Sequence, residues 1–283
     1  MQTKIDTVKT LLDALPYIQK FRNDIIVIKY GGSAQTSNQL KAKFAQDIVL
    51  LHLVGMKPVV VHGGGKSITD MLNRLNIDTK FIDGQRVTTK EVLKIAEMVL
   101  SGEVNKNIVS LLNSQGAKAI GISGKDGNFL KAIPKDREKF GYTGIIEEIN
   151  PEIVFNILDD GFIPVIAPIA AGENIDDPGF NINADLAASK IAVALNARKI
   201  LFLTDTSGVL NKDKDLIQTL TIEQTIKLKE DGTINGGMVP KVDACIEALK
   251  GGVKKAHIID GRVEHSILLE ILTSSGIGTC INL

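Results

Sequence analysis

The chain has no tryptophan, two cysteines, four histidines and no excess of either charge. Cys245 and Cys280 alone cannot build a disulfide framework or a zinc ligand set, which fits a reducing compartment. With 33 Lys and Arg against 33 Asp and Glu, nothing marks a nucleic-acid or membrane surface. Small charged substrates stay open, because local rather than net charge binds them. Long apolar runs are missing too. The first residues, MQTKIDTVKTLLDALPYIQKF, carry acids and interrupt their apolar positions. Neither a signal peptide, a membrane span nor an Arg/Ser-rich transit peptide is expected there.

What is present is 283 residues, 44% hydrophobic and only 4% aromatic, enough for a core of Ile, Val, Leu and Ala in one large domain or two lobes. Ile5, Val8, Leu11, Leu12, Leu15 and Ile18 recur at helical spacing, an amphipathic arm that Pro16 is expected to kink or end. Beyond it, strands and helices alternate. Strands are expected at 25–30, 58–62, 117–122, 162–169, 199–205, 256–260 and 279–282, with a β-hairpin within 129–149. Helices are expected at 38–54, 66–76, 89–100, 102–115, 151–160, 184–196, 221–230, 238–250 and 264–272. Apolar strands separated by helices predict an α/β fold, an open and mostly parallel sheet with helices on both faces.

Four loops combine glycine with charge: KYGGS (29–33), HGGGKS (62–67), TDTSGVL (204–210) and GGMVPK (236–241). Sheets of this kind bind ligands at the carboxyl ends of their strands. Glycine turns and helix N-termini there present N–H groups to anions. HGGG occurs in lipase-type oxyanion holes, but no G-x-S-x-G elbow accompanies it; GISGK and GGSAQ come nearest. GGGKS looks like the end of a Walker loop, yet the first motif glycine would fall on Val60, inside a strand. No G-x-G-x-x-G follows the first strand. What remains is a phosphate site of another construction, with Lys29 and Lys241 as its candidate lysines.

KYGGS, VVVHGGGKSI, DGQRVT, FNINADLAASKIA, LFLTDTSGVL and GGMVPKVDACIEAL, in this order along almost the whole chain, resemble the amino acid kinase family. Within it they look like the branch that acts on N-acetyl-L-glutamate. The resemblance implies a helical arm over 1–24, an acetylglutamate-binding lobe over 25–195 and an ATP-binding lobe over 196–283. It implies transfer of the γ-phosphoryl of ATP to the side-chain carboxylate of N-acetyl-L-glutamate, with Mg²⁺ entering on ATP and no metal ligands of the protein's own. By the same resemblance Lys29 and Lys241 lie on the transferred phosphoryl and Asp185 holds both lysines. Gly64 and Gly65 contact the acetylglutamate, Arg86 forks onto its α-carboxylate and Asn181 meets its amide. Gly31, Gly32, Thr204, Asp205, Ser207, Gly208, Val209, Gly237 and Met238 are implied for ATP. Asp185 also reads as a helix N-cap, and the two roles can coexist.

The C-terminal HIIDGRVEHSILLEILTSSGIGT resembles the arginine-inhibited branch. That implies a homohexamer, L-arginine as inhibitor at Tyr17, Lys212, His257, Glu270 and Gly276, and, for photosynthetic organisms, the PII signalling protein as a partner. A cytoplasmic protein is expected, or one of the plastid stroma if it is made inside the organelle. Two other readings stay open: another family member (glutamate 5-kinase, aspartokinase, uridylate kinase or carbamate kinase), or a non-catalytic amino-acid sensor of the same fold.

Overall fold

The most apolar segments of the chain become the centre of one sheet. The computed structural model describes every residue except Met1, Thr36, Asp83, Ile175 and Asp176. Helix α1 (Gln2–Phe21) precedes β1 (Ile25–Tyr30), α2 (Asn38–Leu53), β2 (Lys57–His62) and α3 (Gly65–Arg74). The short pair β3 (Phe81–Ile82) and β4 (Gln85–Arg86) leads to α4 (Lys90–Glu97), a π-helical stretch (Met98–Val104), α5 (Asn105–Ser114) and β5 (Ala119–Ser123). Then come β6 (Leu130–Pro134), α6 (Arg137–Phe140), β7 (Thr143–Ile149), α7 (Glu152–Asp159), β8 (Ile163–Ala167), β9 (Ile169–Ala170) and β10 (Phe180–Ile182). The last third holds α8 (Ala184–Ala194), β11 (Lys199–Thr204), β12 (Thr219–Thr221), α9 (Ile222–Glu230), α10 (Val239–Lys250), β13 (Lys255–Asp260), α11 (Ser266–Ile271) and β14 (Thr279–Asn282).

Eight strands pair in the order β12-β14-β13-β11-β1-β2-β8-β5, parallel throughout except where β14 runs against β13. Side chains alternate across it. Ile26, Ile28, Val60 and Leu201 pack into the core under α2 and α5, while Val27, Val59, Val61 and Ile200 pack under α8 and α10. All eight are fully buried, each stabilising the fold by roughly 1.5–3 kcal/mol, which is why the central strands read as unbroken apolar runs. A second, four-stranded sheet, β6-β7-β10-β9, stands beside the first. β1 pairs with β2 on one side and β11 on the other, so the chain reverses direction across the sheet at β1. A crevice at such a switch point is where open α/β sheets bind ligands.

Three expectations need correction. Pro16 neither ends nor interrupts α1, which runs on to Phe21. The carbonyl it leaves without a partner belongs to Leu12, an exposed residue where water can take its place. The break expected near residue 101 is a π-helical stretch that joins α4 to α5 in one helical path. The strand expected over 162–169 stops at Ala167. Pro168, which cannot donate to a ladder, turns the chain into β9 of the smaller sheet. The strands β9, β10 and β12 are two or three residues long, too short to show periodicity.

Candidate active site

Lys29 is the penultimate residue of β1, nearly buried at the carboxyl edge of the sheet. Facing it is the first turn of α8. Asn183 caps that helix, its Oδ1 accepting from the backbone N–H of Asp185 (2.9 Å) and Leu186 (3.2 Å). The cap expected of Asp185 is therefore filled by its neighbour, and the Asp185 carboxylate is released for other work. Lys29 Nζ lies 2.8 Å from Asp185 Oδ1, off the angle of a good hydrogen bond, while Lys241 Nζ donates to Oδ2 at 3.2 Å. Burial pushes the Asp185 carboxyl up, but the two ammonium groups outweigh it and hold it below the usual carboxylate range.

Lys241 reaches this point from an unexpected direction. GGMVPK does not follow a strand; it joins α9 to α10, with Pro240 inside the first helical turn where its missing N–H costs nothing. Ser189 Oγ donates to the Ala244 carbonyl at 2.7 Å and ties α10 to α8, the helix of Asp185. One carboxylate thus gathers lysines from two distant parts of the chain.

Beside Lys29 and Asp185 opens a cavity of about 230 Å³, which Gly64, Gly65, Arg86 and Asn181 also line. Gly64 is the residue before α3, and a Cβ there would stand 2.5 Å from Leu100 Cδ2, a side chain of the π-helical stretch. The N–H groups of the first turn of α3 lack helical partners and face an anion favourably. A Cβ on Gly31 would press on Lys29 Nζ at 3.1 Å, and Gly32 has φ +63°. Arg86 is buried, with its guanidinium 4.6 Å from the Phe81 ring. Its Nη2 donates to Gly65 O (2.9 Å) and Thr69 Oγ1 (2.8 Å), its Nη1 to Thr79 Oγ1 (3.0 Å). Burial pulls the guanidinium's pKa down.

Sequence reasoning missed Thr88 and Thr143, both buried. Thr143 Oγ1 donates to the Arg86 carbonyl at 2.6 Å and lies 2.9 Å from Thr88 Oγ1, which in turn meets Asn181 Nδ2 at 3.3 Å. Thr88 ends the DGQRVT run and Thr143 opens β7, but nothing in either stretch points to the other. His62, fully buried, lies beneath the glycine turn. Its Nδ1 donates to Gly63 O (3.1 Å) and its Nε2 accepts from Asn105 Nδ2 (3.2 Å). Burial brings its pKa to about 4, so it is neutral and serves as structure rather than as a base.

Of the residues implied for ATP, Gly32 lines this cavity and the others do not. Thr204 ends β11, with Asp205 exposed beyond it. Gly208 (φ +144°) and Val209 seat their loop on β14, the Val209 N–H donating to Thr279 Oγ1 at 2.8 Å. Gly237 and Met238 lie in the turn just before α10. These residues flank the lysine–carboxylate bridge on the β11 side of β1, opposite β2 and Arg86.

Tyr17, His257, Glu270 and Gly276 line a different cavity of about 280 Å³ between the end of α1 and the strands β13 and β14. His257 Nδ1 lies 2.6 Å from Glu270 Oε1, and Oε2 accepts from the N–H of Ile277 (2.7 Å) and Gly278 (3.0 Å). Lys199, which sequence reasoning overlooked, also lines it, its ammonium 4.6 Å from the Phe21 ring and its pKa brought to about 8 by burial. Lys212 is not part of this cavity; it pairs with Asp231 at 3.2 Å.

Residues 24–260 match the model of the amino acid kinase family. Over all 283 residues, and over the full length of the relative, the chain is 76% identical to a protein of a Sulfurovum species named acetylglutamate kinase. A protein of the same name from a Nitratiruptor species is 68% identical over 99% of this chain and 98% of its own. Among solved structures, N-acetylglutamate synthase from Neisseria gonorrhoeae, complexed with coenzyme A and N-acetyl-glutamate, superposes with a TM-score of 0.86 at 27% identity. That match covers 98% of this chain but 63% of the synthase, which extends well beyond it.

Proposed function

The chain belongs to the amino acid kinase family, and on that premise we propose the part each residue plays. It is an enzyme that uses ATP to phosphorylate the side-chain carboxylate of N-acetyl-L-glutamate, a step of amino-acid biosynthesis. The observation that carries the residue roles is one buried carboxylate, Asp185, bridging Lys29 and Lys241 at the mouth of the Gly64–Arg86–Asn181 cavity.

A substrate carboxyl with a pKa of about 4.3 is ionised at neutral pH, so the acceptor needs no general base. The difficulty is electrostatic: an anionic nucleophile must approach an anionic phosphoryl group. Lys29 and Lys241 stand where they can neutralise charge spreading over the transferred oxygens, and Asp185 holds both ammonium groups in place beforehand. Arg86 takes the substrate's α-carboxylate and Asn181 its amide. The N–H groups at Gly64 and Gly65 face the acceptor carboxylate, those at Gly31 and Gly32 the phosphates. Thr204, Asp205, Ser207, Gly208, Val209, Gly237 and Met238 form the ATP side of the crevice. This assigns 25–195 to the acceptor and 196–283 to the nucleotide, with one sheet shared between them. Mg²⁺ would enter as part of the ATP substrate, held by phosphate and water oxygens rather than by this chain, and would offset phosphate charge. Asp185 is engaged by two lysines, and the described residues offer no cluster of three or more His, Cys, Asp or Glu to hold a resident ion.

The second cavity is read as an inhibitory L-arginine site, because its buried carboxylate, Glu270, takes its hydrogen bonds from His257 and two backbone N–H groups rather than from a lysine or arginine. Tyr17 brings α1 into it. The exposed apolar row of that helix, Ile5, Val8, Leu11, Leu12 and Leu15, supports packing on another subunit in a homohexamer. The relatives above are bacterial, which favours a bacterial cytoplasm over a plastid and leaves a PII partnership without support here.

ADP release separates these readings. Turnover with N-acetylglutamate, and none with glutamate, aspartate, UMP or carbamate, is expected; turnover with an unacetylated acceptor would overturn the substrate assignment. Millimolar or lower arginine is expected to raise the apparent KM for N-acetylglutamate. Kinetics indifferent to arginine, or a dimer in sedimentation, would remove the regulatory reading.

A further inference from the structure

The two buried threonines under the acceptor cavity form a one-way chain of hydrogen bonds. Thr88 and Thr143 are 0% and 4% exposed, so no bulk water can supply or accept a proton between them. Each hydroxyl has a single proton to give. Thr143 gives its proton to the Arg86 carbonyl, the shortest contact at 2.6 Å. The 2.9 Å approach of Thr88 Oγ1 to Thr143 Oγ1 then needs the proton of Thr88. With its own proton directed inward, Thr88 Oγ1 can only accept from the group on its outer side, the Asn181 amide at 3.3 Å.

The opposite rotamer of Asn181 fails this test. With Oδ1 facing Thr88, the Thr88 proton would turn outward to it, and two buried hydroxyl oxygens would lie 2.9 Å apart with no proton between them. The Arg86 carbonyl, 3.3 Å from Thr88 Oγ1, offers that proton a second inward target and none outward. An amide's orientation is fixed by such a network rather than by its shape.

We propose that Thr143 and Thr88 are positioning residues for substrate selection: their hydroxyls lock the Asn181 side chain with Nδ2 inward and Oδ1 toward the cavity, where it accepts the N–H of an acylated amine. The same chain holds the main chain of Arg86, so both ends of the acceptor are registered from one buried point. The inference rests on the placement of Asn181 at the substrate amide given above.

The test compares two acceptors, N-acetylglutamate and its ester counterpart 2-acetoxyglutarate, in which the N–H is replaced by an oxygen that can only accept. In the wild-type protein the ester faces Asn181 Oδ1 lone pair to lone pair, and kcat/KM is expected to be about 100-fold or more below that of the amide. Thr143→Val keeps the branched shape and removes the proton relay, so Asn181 can turn and donate to the ester. The ratio is expected to narrow to about tenfold or less, mostly through KM, while Thr143→Ser restores the wild-type ratio. A Thr143→Val ratio equal to wild type would overturn the proposal, as would a loss shared equally by both acceptors. If Thr143→Val does not fold, Thr143→Ala reads the same ratio. Asn181→Ala tests the underlying placement separately: a raised KM for N-acetylglutamate with that for ATP unchanged supports Asn181 at the amide whatever the Thr143→Val ratio, and an unchanged KM removes that placement.

Discussion

Two buried carboxylates organise the two cavities of this molecule, and they are handled in opposite ways. Asp185 is bracketed by two ammonium groups, so the bridge as a whole is cationic and draws an anion to its edge. Glu270 is held by His257 and two backbone N–H groups, none of which carries a full charge in the neutral imidazole form. Burial pushes Glu270 up, yet these hydrogen bonds win and keep it ionised; burial also outweighs Glu270 and keeps His257 below its ordinary pKa. The first cavity therefore turns a cationic bridge toward an anion, while the second holds one buried carboxylate, Glu270, among a lining that also carries Lys20, Arg198, Lys199, Lys254 and Lys255. Each presses a glycine against its key group. A Cβ on Gly31 would crowd Lys29, and one on Gly276, at φ +64°, would meet Glu270 Oε2 at 2.6 Å. Residue type alone does not separate a catalytic carboxylate from a ligand-binding one; the charge of its partners does.

The contrast can be broken most severely at the lysines. Lys241→Ala removes transition-state charge stabilisation and leaves Asp185 with a single cation, so kcat is expected to fall about 10³-fold with little change in either KM. A loss concentrated in KM would show that the lysine binds the ground state instead. Arg86→Lys tests the same cavity at its other end. A point charge cannot reproduce the three hydrogen bonds to Gly65, Thr69 and Thr79, and KM for the acceptor is expected to rise about 50–100-fold, well beyond any change for ATP. Equal shifts for both substrates would place Arg86 in the framework rather than at the acceptor. In the second cavity, Glu270→Gln keeps the shape and deletes the negative charge. The arginine concentration for half inhibition is expected to rise about 30-fold. An unchanged value would deny the cavity its proposed cation.

The sequence displayed the first cavity far better than the second, and the reason is physical. The central strands are buried on both faces and must be continuously apolar, and the turns after β1 and β2 must be glycine where backbone meets ligand or a packed side chain, as Gly64 meets Leu100. Both constraints are local and leave contiguous text such as IIVIKYGG and VVVHGGG. Even there, the capping role went to Asn183 rather than Asp185, because two acceptors two residues apart compete for the same N–H groups. The threonine relay was invisible, since Thr88 and Thr143 meet only when the segment after β4 comes against the start of β7, 55 positions apart. The second cavity draws on α1, β11, β13, β14 and α11, and only its C-terminal part, within HIIDGRVEHSILLEILTSSGIGT, showed as a contiguous run. Lys199 was overlooked there because it reads as the polar start of a strand, and Lys212 was placed there although it pairs elsewhere with Asp231.

Each cavity also has its own buried histidine, and the one beneath the glycine turn sets the smallest of these effects. His62 has a folded-state pKa of about 4 against 6.5 for the free side chain. Between those values the unfolded chain binds a proton that the folded one refuses, so stability rises with pH through this window and is complete above about 6.5. Falling pH removes it, and the loss levels off near pH 4, where both states are protonated. At pH 5.5 the linkage is on the order of 1 kcal/mol, up to about a tenfold shift in the folding constant and a few degrees in Tm. His257 titrates in the same direction but can gain an ion pair with Glu270 on protonation, whereas His62 is bonded to Gly63 O and Asn105 with the Lys106 ammonium nearby opposing its protonation. The acid limb of stability should therefore follow His62 more closely than His257. Melting curves from about pH 7.5 to 5.5 decide the matter: His62→Gln should flatten the slope more than His257→Gln does, and a His62→Gln slope equal to wild type would show that the imidazole beneath the catalytic turn is not the group being titrated.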